Sequence, residues 1–271
     1  MKISHYINIL VAVLCFFLPA SCATYLNSGQ LGFDSVAPMP ASRFADRSSA
    51  TAVFAGGSYA QGIEYGDDNN LFAQGGLLHT WRIPNGKTFL DSHLALSGWY
   101  GRTSLEDHGT EVHPQYPLSV DRPFAFYGAS AQGGSALGFK LGSGSVMDLG
   151  FRCGAAYEDG PYRSFRAKAA RASAEERGFD IEDCCSTGFS GMLGLEVALI
   201  ETANRDLDIR EGVVLGSISS NLFENSKASL NIASLQPSLS VRYRKYYFAA
   251  TFDNNLFLDW GFSCALGYII F

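Results

Sequence analysis

Residues 232–244 read IASLQPSLSVRYR, and their alternation decides the fold. Ala233, Leu235, Pro237, Leu239, Val241 and Tyr243 occupy one set of alternate positions, and Ser234, Gln236, Ser238, Ser240, Arg242 and Arg244 the other. Successive side chains on a β-strand point to opposite faces, so this stretch is a strand with one greasy and one wet face. The split recurs in 71–83, where Leu71, Ala73, Leu77 and Trp81 oppose Gln74, Thr80 and Arg82, with His79 as the exception on the greasy side. It recurs again in 146–157, 188–199 and 256–270, where Phe151, Leu195 and Leu266 oppose Arg152, Glu196 and Gly267. Weaker versions at 51–60, 88–102, 123–139, 208–223 and 245–253 bring the count to about ten strands, with eight the alternative, and many are long enough for a tilted bilayer crossing. Pro237 has no amide hydrogen to give a ladder, so its place inside a strand predicts a bulge.

The links between strands form two classes. Residues 84–87, 141–145, 201–207 and 244–245 are short; 61–70, 103–122, 158–185 and 224–231 are longer. Such asymmetry belongs to outer-membrane barrels, whose short turns face the periplasm and whose long loops are extracellular. Aromatic residues near strand ends predict two girdles: Trp81 and Tyr243 by the short turns, and Trp99, Tyr100, Tyr127, Tyr157 and Phe223 by the long loops.

Composition agrees with an all-β chain of one domain. Glycines number 29, phenylalanines 20 and tyrosines 13, while only 17% of residues are charged. A net charge of −6 without a basic tract argues against nucleic acid. Cys153, Cys184, Cys185 and Cys264 lack zinc-site spacing and are expected to be unpaired, a vicinal Cys184–Cys185 bridge being the alternative in an oxidising compartment.

The amino terminus has a basic start at Lys2, an apolar run from Ile7 to Leu18, and the small residues Ala20, Ser21 and Ala23. That is the layout of a secretory signal peptide. Residues 18–22, LPASC, resemble a bacterial lipoprotein signal, although Pro19 stands where an aliphatic residue is usual. The resemblance implies lipid attachment at Cys22; plain cleavage after Ala23 is the alternative. At the other end, 265–271 reads ALGYIIF and resembles the terminal signal by which bacterial barrels are recognised, implying the barrel-assembly machinery as a partner.

These readings converge on a closed antiparallel up-and-down transmembrane β-barrel in the outer membrane of a Gram-negative-type bacterium. Residues 1–22 are read as the signal peptide, 23–50 as a tether or partial plug, and 51–271 as the barrel. Outer-membrane lipid is the expected surrounding. The wet faces should line the lumen with Asp91, His93, Asp148, Arg152, Glu196, Arg242, Arg244 and Asp259, joined by Arg82 and Lys140. Unpaired charge in a narrow interior is costly, so the mixture of signs predicts internal ion pairs.

Two segments carry further chemistry. Residues 163–177, RSFRAKAARASAEER, have helix-forming composition and a basic face, which suits a short helix in a long loop lying on lipopolysaccharide phosphates or capping the barrel mouth. Residues 106–113, EDHGTEVH, place Asp107, His108, Glu111 and His113 together, a set that metal binding or general-base hydrolysis at the rim would need. The omptin proteases share the ten-strand count but no motif, a likeness of architecture alone. The expectation is therefore a non-enzymatic barrel without cofactor or metal, serving structure, surface interaction or narrow-pore transport. Its alternatives are a rim hydrolase and a periplasmic lipoprotein with a soluble β-sandwich or lipocalin-like pocket.

Overall fold

The computed structural model describes residues 24–26, 49–62, 67–85, 88–106, 123–141, 144–175, 181–183, 188–204, 206–220, 231–255 and 259–270. Ten antiparallel strands close on themselves: β2 (Ser49–Gly62), β3 (Asp67–Asn85), β4 (Thr88–Glu106), β5 (Phe124–Lys140), β6 (Ser145–Asp159), β8 (Phe189–Asn204), β9 (Leu207–Ser220), β10 (Asn231–Tyr243), β11 (Tyr246–Asn255) and β12 (Asp259–Ile269). Each pairs with its sequence neighbour in the wall, and β12 closes the ring against β2. Outside the ring lie one helix, α1 (Pro161–Glu175), and a short parallel pair, β1 (Thr24–Leu26) with β7 (Ile181–Asp183). Of the expected tether at 23–50, only β1 and the first residues of β2 fall among the described residues.

The strands are staggered. Following cross-strand partners once around the wall from Pro84, through Phe89, Asp148, Gly212 and Ser263, leads back to β3 at Phe72 instead of Pro84. A closed barrel needs this stagger, and its strands tilt accordingly.

The greasy faces point out. Leu71, Leu193, Leu195, Phe262 and Leu266 are all strongly exposed, whereas Gln74, Arg152, Glu196 and Ser263 on the opposite faces are buried. A two-layer sandwich would bring those leucines together in the middle, so the soluble-sandwich and lipocalin-like alternatives are excluded. The free thiols Cys153 and Cys264 sit on the outer positions too. Outer-face aromatics gather at both ends: Tyr243, Tyr246 and Tyr268 by the short turns, Tyr100, Tyr127 and Phe189 by the opposite rim. His79, the exception in its strand, joins the lower girdle, beside Trp81 with ring centroids 5.5 Å apart and 2.8 Å from the Thr51 hydroxyl.

Four expectations need correction. Trp99 is buried in the lumen, where its indole covers Gly128 of the next strand, and so takes no part in a girdle. Pro237 makes no bulge: β10 keeps one continuous register with β9 through Pro237↔Val213, and on the β11 side pairing lapses at Gln236 and Pro237 and resumes unshifted at Ser238. A missing amide hydrogen can be accommodated by losing ladder pairs without adding a residue. The loop asymmetry is also uneven, because 63–66 and 256–258 on the long-loop side are as short as turns. Finally, Arg244 has φ 54° in the β10–β11 turn and is exposed there beside Asp206, so it does not line the lumen.

Inward-facing aromatics lie over glycines of the neighbouring strand. A Cβ at Gly267 would fall inside the Tyr247 ring, and one at Gly138 inside the Phe89 ring. Tyr247 belongs to a dry cluster with Ala52, Phe54, Leu78, Ala249 and Ile269 that fills one side of the interior. Replacing Gly267 by valine should expel the Tyr247 ring and cost about 1–3 kcal/mol, the usual penalty of overpacking. Urea unfolding of the variant in detergent checks this, and an unshifted midpoint would count against the packing argument.

Candidate functional site

Beside the dry cluster, the interior carries charge. Asp91 on β4 is gripped by Arg82 on β3 in a bidentate pair, with Nε–Oδ1 2.6 Å and Nη2–Oδ2 2.5 Å. The Arg82 guanidinium also lies 3.7 Å over the Phe89 ring. Glu196 on β8 receives two arginines at one oxygen, Oε1: Arg152 of β6 and Arg210 of β9, each through Nη2 at 2.5 Å. Arg242 of β10 holds Asp208 of β9 through Nε at 2.7 Å and Nη2 at 2.5 Å. Asp148 of β6 is buried among these groups, and His93 lies with it on the wall of a small cavity.

Asp91, Asp148, Glu196 and Asp208 thus face Arg82, Arg152, Arg210 and Arg242, and the formal charges balance. Except at Arg82 and Asp91, which keep slight exposure, these side chains are almost wholly enclosed. Burial on that scale is tolerable only when each ion finds a counter-ion and further hydrogen bonds. Each pair joins neighbouring strands of the wall, so its chemical capacity is to lock those strands together and rigidify the interior. Among the described residues no group of three or more metal-ligating side chains occurs.

At the long-loop end, α1 packs against β5 and β6. The first two turns of α1 bury Tyr162, Phe165 and Arg166 there. Phe165 stacks on Phe124 at 4.7 Å, Tyr162 meets Phe126 at 6.1 Å, and Arg166 Nη1 donates to Glu158 Oε1 at 2.7 Å. Gly160, with φ +123°, turns the chain from β6 into the helix; a Cβ there would crowd the Ala125 carbonyl. The helix expected at 163–177 therefore exists, displaced by two residues, and two of its basic residues are committed: Arg166 to Glu158, and Arg163 to Asp159 at 3.4 Å. Glu158→Gln should loosen the first turn, seen as faster trypsin cleavage after Arg163 and Lys168. An unchanged rate would mean that the aromatic contacts alone hold α1.

Of the residues singled out from the alternation, Asp91, His93, Asp148, Arg152, Glu196 and Arg242 are brought together on the inner wall. Lys140 is exposed at its strand end. For Asp259 the backbone opens β12 opposite Gly62, and its side chain lies outside the described part. Cys22, Cys184, Cys185, Phe223 and, of the 106–113 cluster, everything after Glu106, with Asp107, His108, Glu111 and His113, lie outside it as well. The alternation reading missed Asp208, Arg210, Glu158 and Arg166. For the first two the signal was present in LDIRE at 207–211, where Asp208 and Arg210 share a face opposite Ile209.

No protein-family model and no curated protein matches the chain. Among solved structures, it is similar to an outer membrane channel from Pseudomonas putida F1, with TM-score 0.45 and 9% identity over 87% of this chain and 100% of that one. It is similar also to the beta domain of the Bordetella autotransporter BrkA, with TM-score 0.39 and 11% identity over 82% and 99%. A third is the translocator domain of autotransporter NalP from Neisseria meningitidis, with TM-score 0.40 and 10% identity over 83% and 89%. Likenesses this loose assign neither family nor activity.

Proposed function

We propose that the chain is an outer-membrane barrel protein whose sealed lumen suits it to a structural or surface-interaction role and not to that of an open pore. The membrane part of this reading rests on the exterior. Leu71, Leu193, Leu195 and Leu266 are each more than 60% exposed, within a band of apolar side chains bounded by aromatics at both ends. A surface of that kind far exceeds the apolar patch a soluble monomer tolerates, and a closed barrel satisfies its backbone hydrogen bonds without water. Among the described residues no helix is long and apolar enough to cross a membrane.

The sealed part rests on one observation: the inward-facing ions Arg152, Glu196, Asp208, Arg210 and Arg242 have side chains no more than 5% exposed. Under this reading the short turns face the periplasm, α1 stands at the outer surface, Cys22 carries the lipid, and the barrel-assembly machinery inserts the chain. Contact with lipopolysaccharide would fall to Lys168 and residues beyond it, since Arg163 and Arg166 are engaged within the protein.

The test is electrical. Purified protein, shown to be folded by its heat-modifiable gel mobility, should give no steady conductance steps in a planar bilayer. Reproducible ohmic steps would overturn the sealed-lumen reading, and protein that stays dispersed and folded without detergent would overturn the membrane reading.

A further inference from the structure

Among the buried polar atoms without a hydrogen-bond partner, three lie around one cavity. They are Oδ1 of Asp148, Nη1 of Arg210 and Oγ1 of Thr80, and each of these residues is less than 4% exposed. All three residues line one cavity of about 20 Å³, together with Asp91, His93 and Glu196. Buried polar groups are almost always satisfied, so a set of orphans around one void calls for an occupant.

Size and charge identify it. A volume near 20 Å³ has room for one water molecule. The orphans are an acceptor, a donor and a hydroxyl that serves as either, which is what one water, with two donors and two acceptor sites, can satisfy together. A cation would sit against the Arg210 guanidinium, and an anion would meet the carboxylates of Asp91, Asp148 and Glu196; the surrounding formal charges already balance. A neutral guest remains.

We infer that this cavity is a binding site for a single ordered water that accepts a hydrogen bond from Arg210 and donates one to Asp148, with Thr80 as third partner. The water joins Asp148, which has no direct ion-pair partner among the described residues, to the Arg152–Glu196–Arg210 group. The inference deepens the sealed-lumen reading and rests on it.

A crystal structure of the detergent-solubilised protein, fine enough to place waters, tests it. The expected result is one peak roughly 2.7–3.2 Å from both Asp148 Oδ1 and Arg210 Nη1. Ala136→Val, whose added methyl groups enter the cavity from its own wall, should lose that peak, and Asp148→Asn should keep it. A direct Asp148–Arg210 ion pair, an empty cavity, or a peak with the short contacts of a metal cation would each overturn the assignment, and the parent protein alone suffices should a variant not fold. Bilayer conductance is scored separately: an ordered water in a conducting barrel would sink the sealed-lumen reading only, whereas a silent barrel with no water would sink this inference only.

Discussion

Leu195→Arg is expected to lower the folding stability of the barrel in lipid vesicles by about 2–4 kcal/mol, the cost of a cation on a barrel's lipid face near the bilayer midplane. Leu195 is 68% exposed and lies on the outer face of β8, well inside the aromatic rim marked by Phe189. Its cross-strand partners, Phe151 and Leu215, are also apolar and exposed. In water such a change removes an exposed leucine and is harmless or solubilising, so the sign of the effect reports the solvent around this wall. Tyr243→Arg, in the lower girdle, supplies the internal control, where the cost should fall to about 0–1 kcal/mol. Urea-induced unfolding in vesicles measures both, and equal effects at the two sites would contradict the membrane assignment.

The second large effect belongs to Glu196. Its single oxygen Oε1 receives Arg152 and Arg210, so Glu196→Leu leaves two enclosed guanidinium groups without their counter-ion. Removing one partner of a buried pair typically costs 3–5 kcal/mol, here with two cations affected, which is about a barrel domain's whole margin. The variant should therefore fail to reach the compact, heat-modifiable form. Replacing the group together, by Arg152→Met, Glu196→Leu and Arg210→Met, should restore it, because an apolar set of similar volume carries no desolvation penalty. A Glu196→Leu barrel as stable as the parent would show that water reaches these arginines and that the lumen is not sealed.

Alternation of greasy and wet residues was enough to read the ten strands, their approximate bounds and their outward face. Where it failed, the local pattern was ambiguous. Trp99 and Tyr100 are adjacent aromatics, and only the pairing of Trp99 with Gly128 shows which one turns inward. Phe54, Phe72 and Leu78 are apolar residues on inner faces, which a rule assigning every apolar side chain to lipid misplaces. Arg244 continues the alternation of β10 by one residue, yet the chain has already turned there.

Determined by the sequence itself was the period of two, and with it the strands and the apolar exterior, because side-chain direction along a strand depends on residue parity alone. Which charges meet was decided only by the tertiary structure. Arg152, Glu196 and Arg210 lie on three different strands, and a slip of one residue in β8 would turn Glu196 out toward the surroundings. The stagger that closes the barrel sets that register, and stagger is a property of the whole ring that no single strand encodes.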